Sequence, residues 1–279
     1  MTEGRRLRVV TMNVLGPANP GWERRRVLLA RTLQRLGADV VALQEIPIGS
    51  APGIVAELLG PGWHVRQLGR PSDDGVGAAL ATRAPHRPVL DLDQRIRPES
   101  EALPWCATSV VALEAAVGSV LIAHHKPSWE FGAEAEREQQ ALRAARAVEE
   151  HVGSAHAVVL GDFDATPEAA SMQFWRGLRS LDGVSVCYQD AWETVHPHDP
   201  GHTFSSDNPL VRAGEVATAV SRRIDHVLVR AGAHGPTLRV LGCERVLDRP
   251  VEGVWASAHF GVVADLAVPD HPPGRWGRL

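Results

Sequence analysis

The stretch HAVVLGDFDATPEA, His156–Ala169, ends an apolar run in two aspartates one residue apart, Asp162 and Asp164. In an extended chain these side chains alternate past Phe163 and share one face. Other polar residues take comparable places in or beside apolar runs. They are Asn13 after RLRVVTM, Glu45 in VVALQEI, His125 in VLIAHHK, Asp225 in RRIDHVLV, and His259 before FGVVADL. An unpaired charge in such a setting costs several kcal/mol. Taken singly, each has an ordinary reading: a strand-end turn residue, a satisfied core histidine, or an N-cap in the case of Asp164 before Thr166-Pro167. Taken together, they point to one shared site. Carboxylates gathered in this way imply a positive charge among them, and a divalent metal with hard oxygen ligands supplies it.

The elements that must position these residues alternate along most of the chain. RLRVVTMNV (Arg6–Val14), ADVVALQEI (Ala38–Ile46) and GVGAALATR (Gly75–Arg83) read as strands. WCATSVVALEA and GSVLIAHHK read as a hairpin through Val117–Gly118. HAVVLGDFD, RRIDHVLVR, TLRVLGCERV and HFGVVADLAV complete the strands. Helical spacing appears over Trp22–Leu36, through Leu29, Leu33 and Leu36, and over Glu134–His151, through Ala141, Ala145 and Val148. Many strands with few helical crossovers predict an α+β fold of two packed, mainly antiparallel sheets flanked by helices. No linker-like stretch divides the chain, so residues 1–268 read as one domain, followed by a Pro/Gly-rich tail over 269–279.

The chain has 279 residues, 44% hydrophobic, enough for one substantial core. No apolar run approaches the ~20 residues of a membrane helix. The start lacks a signal peptide's long apolar region. Three dispersed cysteines, without a CxxC pair, fit neither a disulfide framework nor a zinc knuckle and suit a reducing cytoplasm. A net charge of −4 argues against a protein held to nucleic acid by a broadly basic surface. HPHDPGH, His196–His202, reads as a surface loop rather than a metal cluster, and Arg24–Arg26 as a solvated face.

TMNVLG, VALQEI, IAHHKPSW, GDFDATP, RRIDHVLV and ASAHFGVVADL follow, in order, the motifs of the endonuclease/exonuclease/phosphatase superfamily, which the chain resembles from about Leu7 to Val268. The resemblance implies a four-layer αββα sandwich and magnesium-assisted hydrolysis of a phosphate ester, with Mn2+ an alternative ion. It implies Glu45 as metal ligand and Asn13 as a support of the metal and phosphate site. It also implies His125 as a donor to a phosphate oxygen, Asp162 as the acceptor that orients the attacking water, and Asp225 as partner of His259. Asp164 counts among the catalytic set. Lys126 and Trp129, which follow His125, are candidates for the pocket rim. Arg223, beside Arg222 and Asp225, is a candidate for steering an anionic substrate.

Two positions depart from the family pattern. Ser257-Ala258-His259 stands where the family has Ser-Asp-His, and GDFD stands where it more often has GDFN. An ionised Asp164 cannot donate to a phosphate. Three accounts fit: a weakened site, Asp164 replacing the missing carboxylate from another direction, or Ala258 as an introduced change in an active enzyme. The expected function is therefore a phosphoesterase acting on a small-molecule ester or nucleic acid. The alternative is a lapsed family member that binds a phosphorylated partner. No protein partner is legible.

Overall fold

The computed structural model describes residues 5–97, 105–271 and 273–275. Of the tail expected over 269–279, residues 272 and 276–279 lie outside the described residues. The strands are β1 (Arg6–Asn13), β2 (Val40–Ile46), β3 (His64–Leu68), β4 (Gly77–Thr82), β5 (His86–Asp93), β6 (Ala107–Ala115) and β7 (Gly118–Lys126), followed by β8 (His156–Asp162), β9 (Tyr188–Asp190), β10 (Asp225–Gly232), β11 (Gly235–Pro236), β12 (Arg239–Val246) and β13 (Gly261–Ala267). The helices are α1 (Trp22–Arg35), α2 (Ile54–Leu59), α3 (Glu134–Val152), α4 (Ala170–Trp175), α5 (Ala191–Val195) and α6 (Pro209–Arg212).

One sheet runs β12-β13-β1-β2-β4-β3, and the other runs β11-β10-β8-β7-β6-β5, with β9 also pairing β10. Pairing is antiparallel except for β1 with β2 and β7 with β8. The expected α+β sandwich of two mainly antiparallel sheets is therefore what the chain forms. The layers follow from side-chain alternation. Val9, Val40 and Leu80 from the first sheet pack against Val111, Ile122, Val158 and Val227 from the second. Val10, Val41 and Leu43 turn outward onto α1 and α2, whereas Leu121, Ala123 and Val159 turn outward onto α3 and α4. The hairpin turns at Ala116–Val117, one residue before the expected position, because Gly118 already pairs with Ala115 as the first residue of β7.

The parallel pairs matter for function. They bring the C-terminal ends of β1, β2, β7 and β8 to one end of the sandwich, where β10 begins antiparallel to β8. Gly161 permits part of this closeness, since a Cβ there would lie 2.0 Å from the His125 carbonyl oxygen. Arg25 ties down the loop that leaves β1. It is buried, against the solvated face expected for Arg24–Arg26, and donates to the carbonyls of Val14, Gly16, Pro20 and Ala256. Burial without a carboxylate partner in contact lowers its pKa to about 10.

Candidate active site

The floor of the site is assembled at that end. Asn13 closes β1, and its amide Nδ2 donates to Glu45 Oε1 at 2.8 Å and to Asp162 Oδ2 at 3.0 Å, so one side chain links the two sheets. Its Oδ1 accepts from the Leu15 N–H at 3.0 Å, so Asn13 also ties the loop after β1 to the two carboxylates. Glu45 reaches the floor from a β-bulge. The β2–β4 register shifts between Leu43 and Ile46, and Glu45 has φ 57°, a left-handed conformation unusual for a glutamate. Such backbone persists where the surroundings over-determine it, and here it aims the carboxylate.

Asp162 ends β8 and lies directly opposite Asp225 in the antiparallel register. Like charges so placed repel unless cations intervene. Two do. Asp225 Oδ2 meets His259 Nδ1 at 3.0 Å, and Lys126 Nζ lies 3.2 Å from Asp162 Oδ2 while also pairing with Asp164. Asp164 makes that pair from a left-handed backbone, φ 52°, a conformation that aspartate tolerates better than most residues. Lys126 thus accounts for the aspartate found where the family more often has asparagine: the carboxylate has a buried ammonium beside it.

Burial opposes ionisation of Asp162, but Lys126, His259 and the Asn13 amide outweigh it and hold the carboxyl near 2. Asp164 is pushed up to about 6 by burial and by Asp162, despite Lys126. Burial also raises Asp225, with His259 pulling the other way. His259 rises to about 9 because Asp225 and Asp162 outweigh its burial. We take the pair as carboxylate and imidazolium, since two acids face one ring. A folded pKa of about 9, above the unfolded value of about 6.5, means that His259 stabilises the fold fully below the unfolded value. That contribution is lost as pH rises through 9. Asp225→Asn is expected to weaken this dependence in thermal melts, and to draw the alkaline limb of any activity profile down from about 9 towards the ordinary histidine value, Asp162 alone remaining close to the ring. An unmoved limb would show that another group titrates.

Two expected site residues land elsewhere. His125 faces the helix layer: its Nδ1 meets Thr108 Oγ1 at 2.7 Å and its ring packs edge-on against Phe163 and Trp175. His124, one residue earlier, shares the inward face with Lys126, and its Nε2 lies 2.8 Å from Gln44 Nε2. Burial lowers both imidazoles to about 3, so both are neutral. Arg223 is also turned away, pairing with Asp190 and donating to Glu193 at 3.0 Å. Its neighbour Arg222 lines the cavity instead, with its guanidinium 4.3 Å from the Phe131 ring centroid. The HPHDPGH segment is a loop, as expected, with His196 against Trp192.

The cavity above the floor measures about 380 Å3. Glu45, Lys126, Asp162, Asp164 and His259 line it, with Trp129 at the rim, 38% exposed. Ala258 lines it too, buried in a cluster with Phe204, Val211 and Ile224. Sequence reasoning missed this apolar wall because its members come from three separate segments.

A divalent ion fits this donor set. Ligand atoms of Asp162, Asp225 and His259 lie within 4.8 Å of one another, and Asp225 Oδ1 is buried without a partner. Glu45 stands beside Asp162 through their shared Asn13. Four carboxylates (Glu45, Asp162, Asp164 and Asp225) outnumber Lys126, His259 and Arg222 even when the rim arginine is included. Glu45, with Asn13 beside it, is the residue that would hold the ion, since Asp162, Asp164 and Asp225 already have cationic partners.

The model of the Endonuclease/Exonuclease/phosphatase family matches residues 10–259. The chain belongs to this family. Members of the family are metal-dependent hydrolases of phosphoester bonds. No curated protein matches the chain in sequence. Among solved structures, D. rerio TDP2 complexed with single strand DNA product is 17% identical, covers 94% of this chain and 99% of its own, and superposes with a TM-score of 0.72. The human Nocturnin catalytic domain with bound sulfate anion is 18% identical over 95% of this chain and 94% of its own, with a TM-score of 0.67. An endonuclease/exonuclease/phosphatase from Bacteroides vulgatus is 20% identical over 95% and 99%, with a TM-score of 0.69. These likenesses establish the shared fold.

Proposed function

We propose that the protein hydrolyses a phosphate ester with the help of a bound divalent ion, Mg2+ or in its place Mn2+. The observation that carries this reading is the meeting of Asp162, Asp225 and His259 beside Glu45 at one end of both sheets. Glu45, with Asn13 beside it, would hold the ion, which when bound would supply positive charge to the phosphoryl oxygens. Asp162, fully ionised near 2, accepts a hydrogen bond from an incoming water and orients it in line with the leaving oxygen. The His259 imidazolium donates toward a phosphoryl oxygen, and Asp225 fixes its ring and keeps it charged. Lys126 adds positive charge at the floor, and Arg222 extends it toward the rim. The same reading takes residues 1–268 as one domain. It also takes a reducing, cytoplasmic setting, which suits the free thiols Cys106, Cys187 and Cys243. No helix of the described chain is long and apolar enough to cross a membrane.

Phosphate or alcohol release from a panel of mono- and diesters, with Mg2+, Mn2+ and chelator, tests the proposal. Metal-dependent release is expected, and inertness with every ion would overturn it. A second reading, a lapsed member that binds a phosphorylated partner, draws on Ala258 standing where the family motif has aspartate. Ala258→Asp separates the two. It places a carboxylate among Phe204, Val211 and Ile224, so the metal-free melting temperature is expected to fall and Mg2+ to restore it. The Mg2+ needed for half-maximal activity is expected to drop, by roughly tenfold, the size of change seen when groups around a metal are altered. A variant equally inert at all Mg2+ concentrations, together with an inert parent, favours the binder. DNA is a further candidate substrate, supported by the D. rerio TDP2 complex.

A further inference from the structure

The cavity is built from two unlike halves. Its floor is ionic, as described, but one wall consists of Leu15, Phe204, Leu210, Val211, Val216 and Ala258. Trp129 and Phe131, the latter 54% exposed, also line the cavity, with Arg222 between Phe131 and Phe204. Exposed aromatic surface gathered at the mouth of a cavity marks a place where an apolar group docks. The charges point the same way. Beyond the floor, the described lining residues that carry charge are Asp74, Glu215 and Arg222. Lys126 is already engaged by Asp162 and Asp164. A polyanion needs a cation for each phosphate that it lays along a groove. Here a second phosphate would face Asp74 and Glu215 with Arg222 as its one fresh partner.

We infer that the site takes phosphate esters of an apolar alcohol, alkyl or aryl, seating the phosphoryl group on the floor and the apolar group against the Leu210–Val216 wall. This rests on the phosphoesterase reading and names the substrate class within it. The absence of a carboxylate at position 258 belongs to the same design, because Ala258 is one of the wall residues and an aspartate there would wet it. Arg222, held over Phe131 at 4.3 Å, sits where it can reach the phosphoryl group's outer oxygen while its flat face keeps the aromatic ring in place. A cavity of about 380 Å3 holds a phosphoryl group with a chain of several carbons or one ring.

Two measurements test the inference and keep it separate from the hydrolase reading. Titration calorimetry with methyl-, butyl- and octylphosphonate in the presence of Mn2+ reads binding without turnover. Affinity is expected to rise about two- to fourfold per methylene until the wall is covered. Hydrolysis of p-nitrophenyl methyl, butyl and hexyl phosphates, against a labelled single-stranded oligonucleotide, reads the reaction. The same rise in kcat/KM is expected, with the oligonucleotide poorest. Trp129→Ala, an exposed change that leaves the core intact, is expected to lower the slope with chain length in both series, and Val216→Asn to lower it further. A slope of zero in both series, or an oligonucleotide cleaved faster than every alkyl ester, overturns the inference while leaving the hydrolase intact. Rising phosphonate affinity with an inert ester series sinks the hydrolase reading and leaves the apolar subsite standing.

Discussion

Asp162→Asn is expected to lower kcat by about 10^2- to 10^4-fold, the range over which a positioned base contributes, with the fold retained. The substitution is nearly isosteric, and it keeps an acceptor toward the Asn13 amide, now 3.0 Å away. It removes a floor carboxylate that its surroundings keep ionised near 2, and hence always an acceptor for a hydrogen bond from the attacking water. Stability should change little, because Lys126 keeps Asp164 as a partner. The outcome to look for is a fall in kcat far larger than any change in KM, with melting temperature and circular dichroism unchanged. A loss of less than fivefold would mean that the water is activated elsewhere, and the role assigned to Asp162 would go.

Lys126→Met is expected to be the most destabilising single change at the site. The ammonium is 4% exposed and sits between two carboxylates. Removing one partner from a buried pair typically costs about 3–5 kcal/mol, because the remaining charge is left without compensation. Asp162 and Asp164 would then both be pushed up by burial and by each other. A folded pKa above the unfolded value makes the penalty largest at neutral pH and relieves it as pH falls and the acids protonate. Adding Asp164→Asn to the same chain is expected to recover most of the loss, since the amide needs no counter-ion. Denaturation of the two single variants and the double variant gives the coupling between the residues. Additive losses would show that Lys126 and Asp164 do not act as a pair, and the account of Asp164 would fall with them.

The residues that meet at the cavity floor were legible because a polar or charged side chain at the end of an apolar strand is conspicuous. Asn13, Glu45, Asp162, Asp225 and His259 are brought together at the ends of both sheets. The side on which a residue emerges was harder to read. In β7 both faces are covered, Ile122 by the other sheet and Leu121 and Ala123 by α3, so the period-two signal is flat. Nothing in VLIAHHK therefore says which histidine looks inward. Alternation back from Lys126, once its place is known, selects His124. Arg223 was misplaced for a related reason. It is two residues before Asp225 and would share its face in a regular strand, but β10 begins only at Asp225, and Arg223 turns with His226 toward Asp190. The elements β3, β5, β9, β11, α2, α5 and α6 were not anticipated. Each is too brief or too exposed for a pattern of apolar residues to stand out, as with the mostly half-exposed β5. The Glu45 bulge leaves no trace in composition, because its cause is the carboxylate's destination.

Phe204 forms backbone bridges with both Arg222 and His259. The seventeen-residue excursion from Ser205 to Ser221, which brings Leu210, Val211 and Val216 to the cavity, is thus pinched off at its neck. Asn208, inside the excursion, donates to the carbonyls of Ser257 and Ala258, so the same segment braces the backbone that carries His259. A change in the length of that excursion would therefore reshape the apolar wall and disturb the seat of the imidazole together.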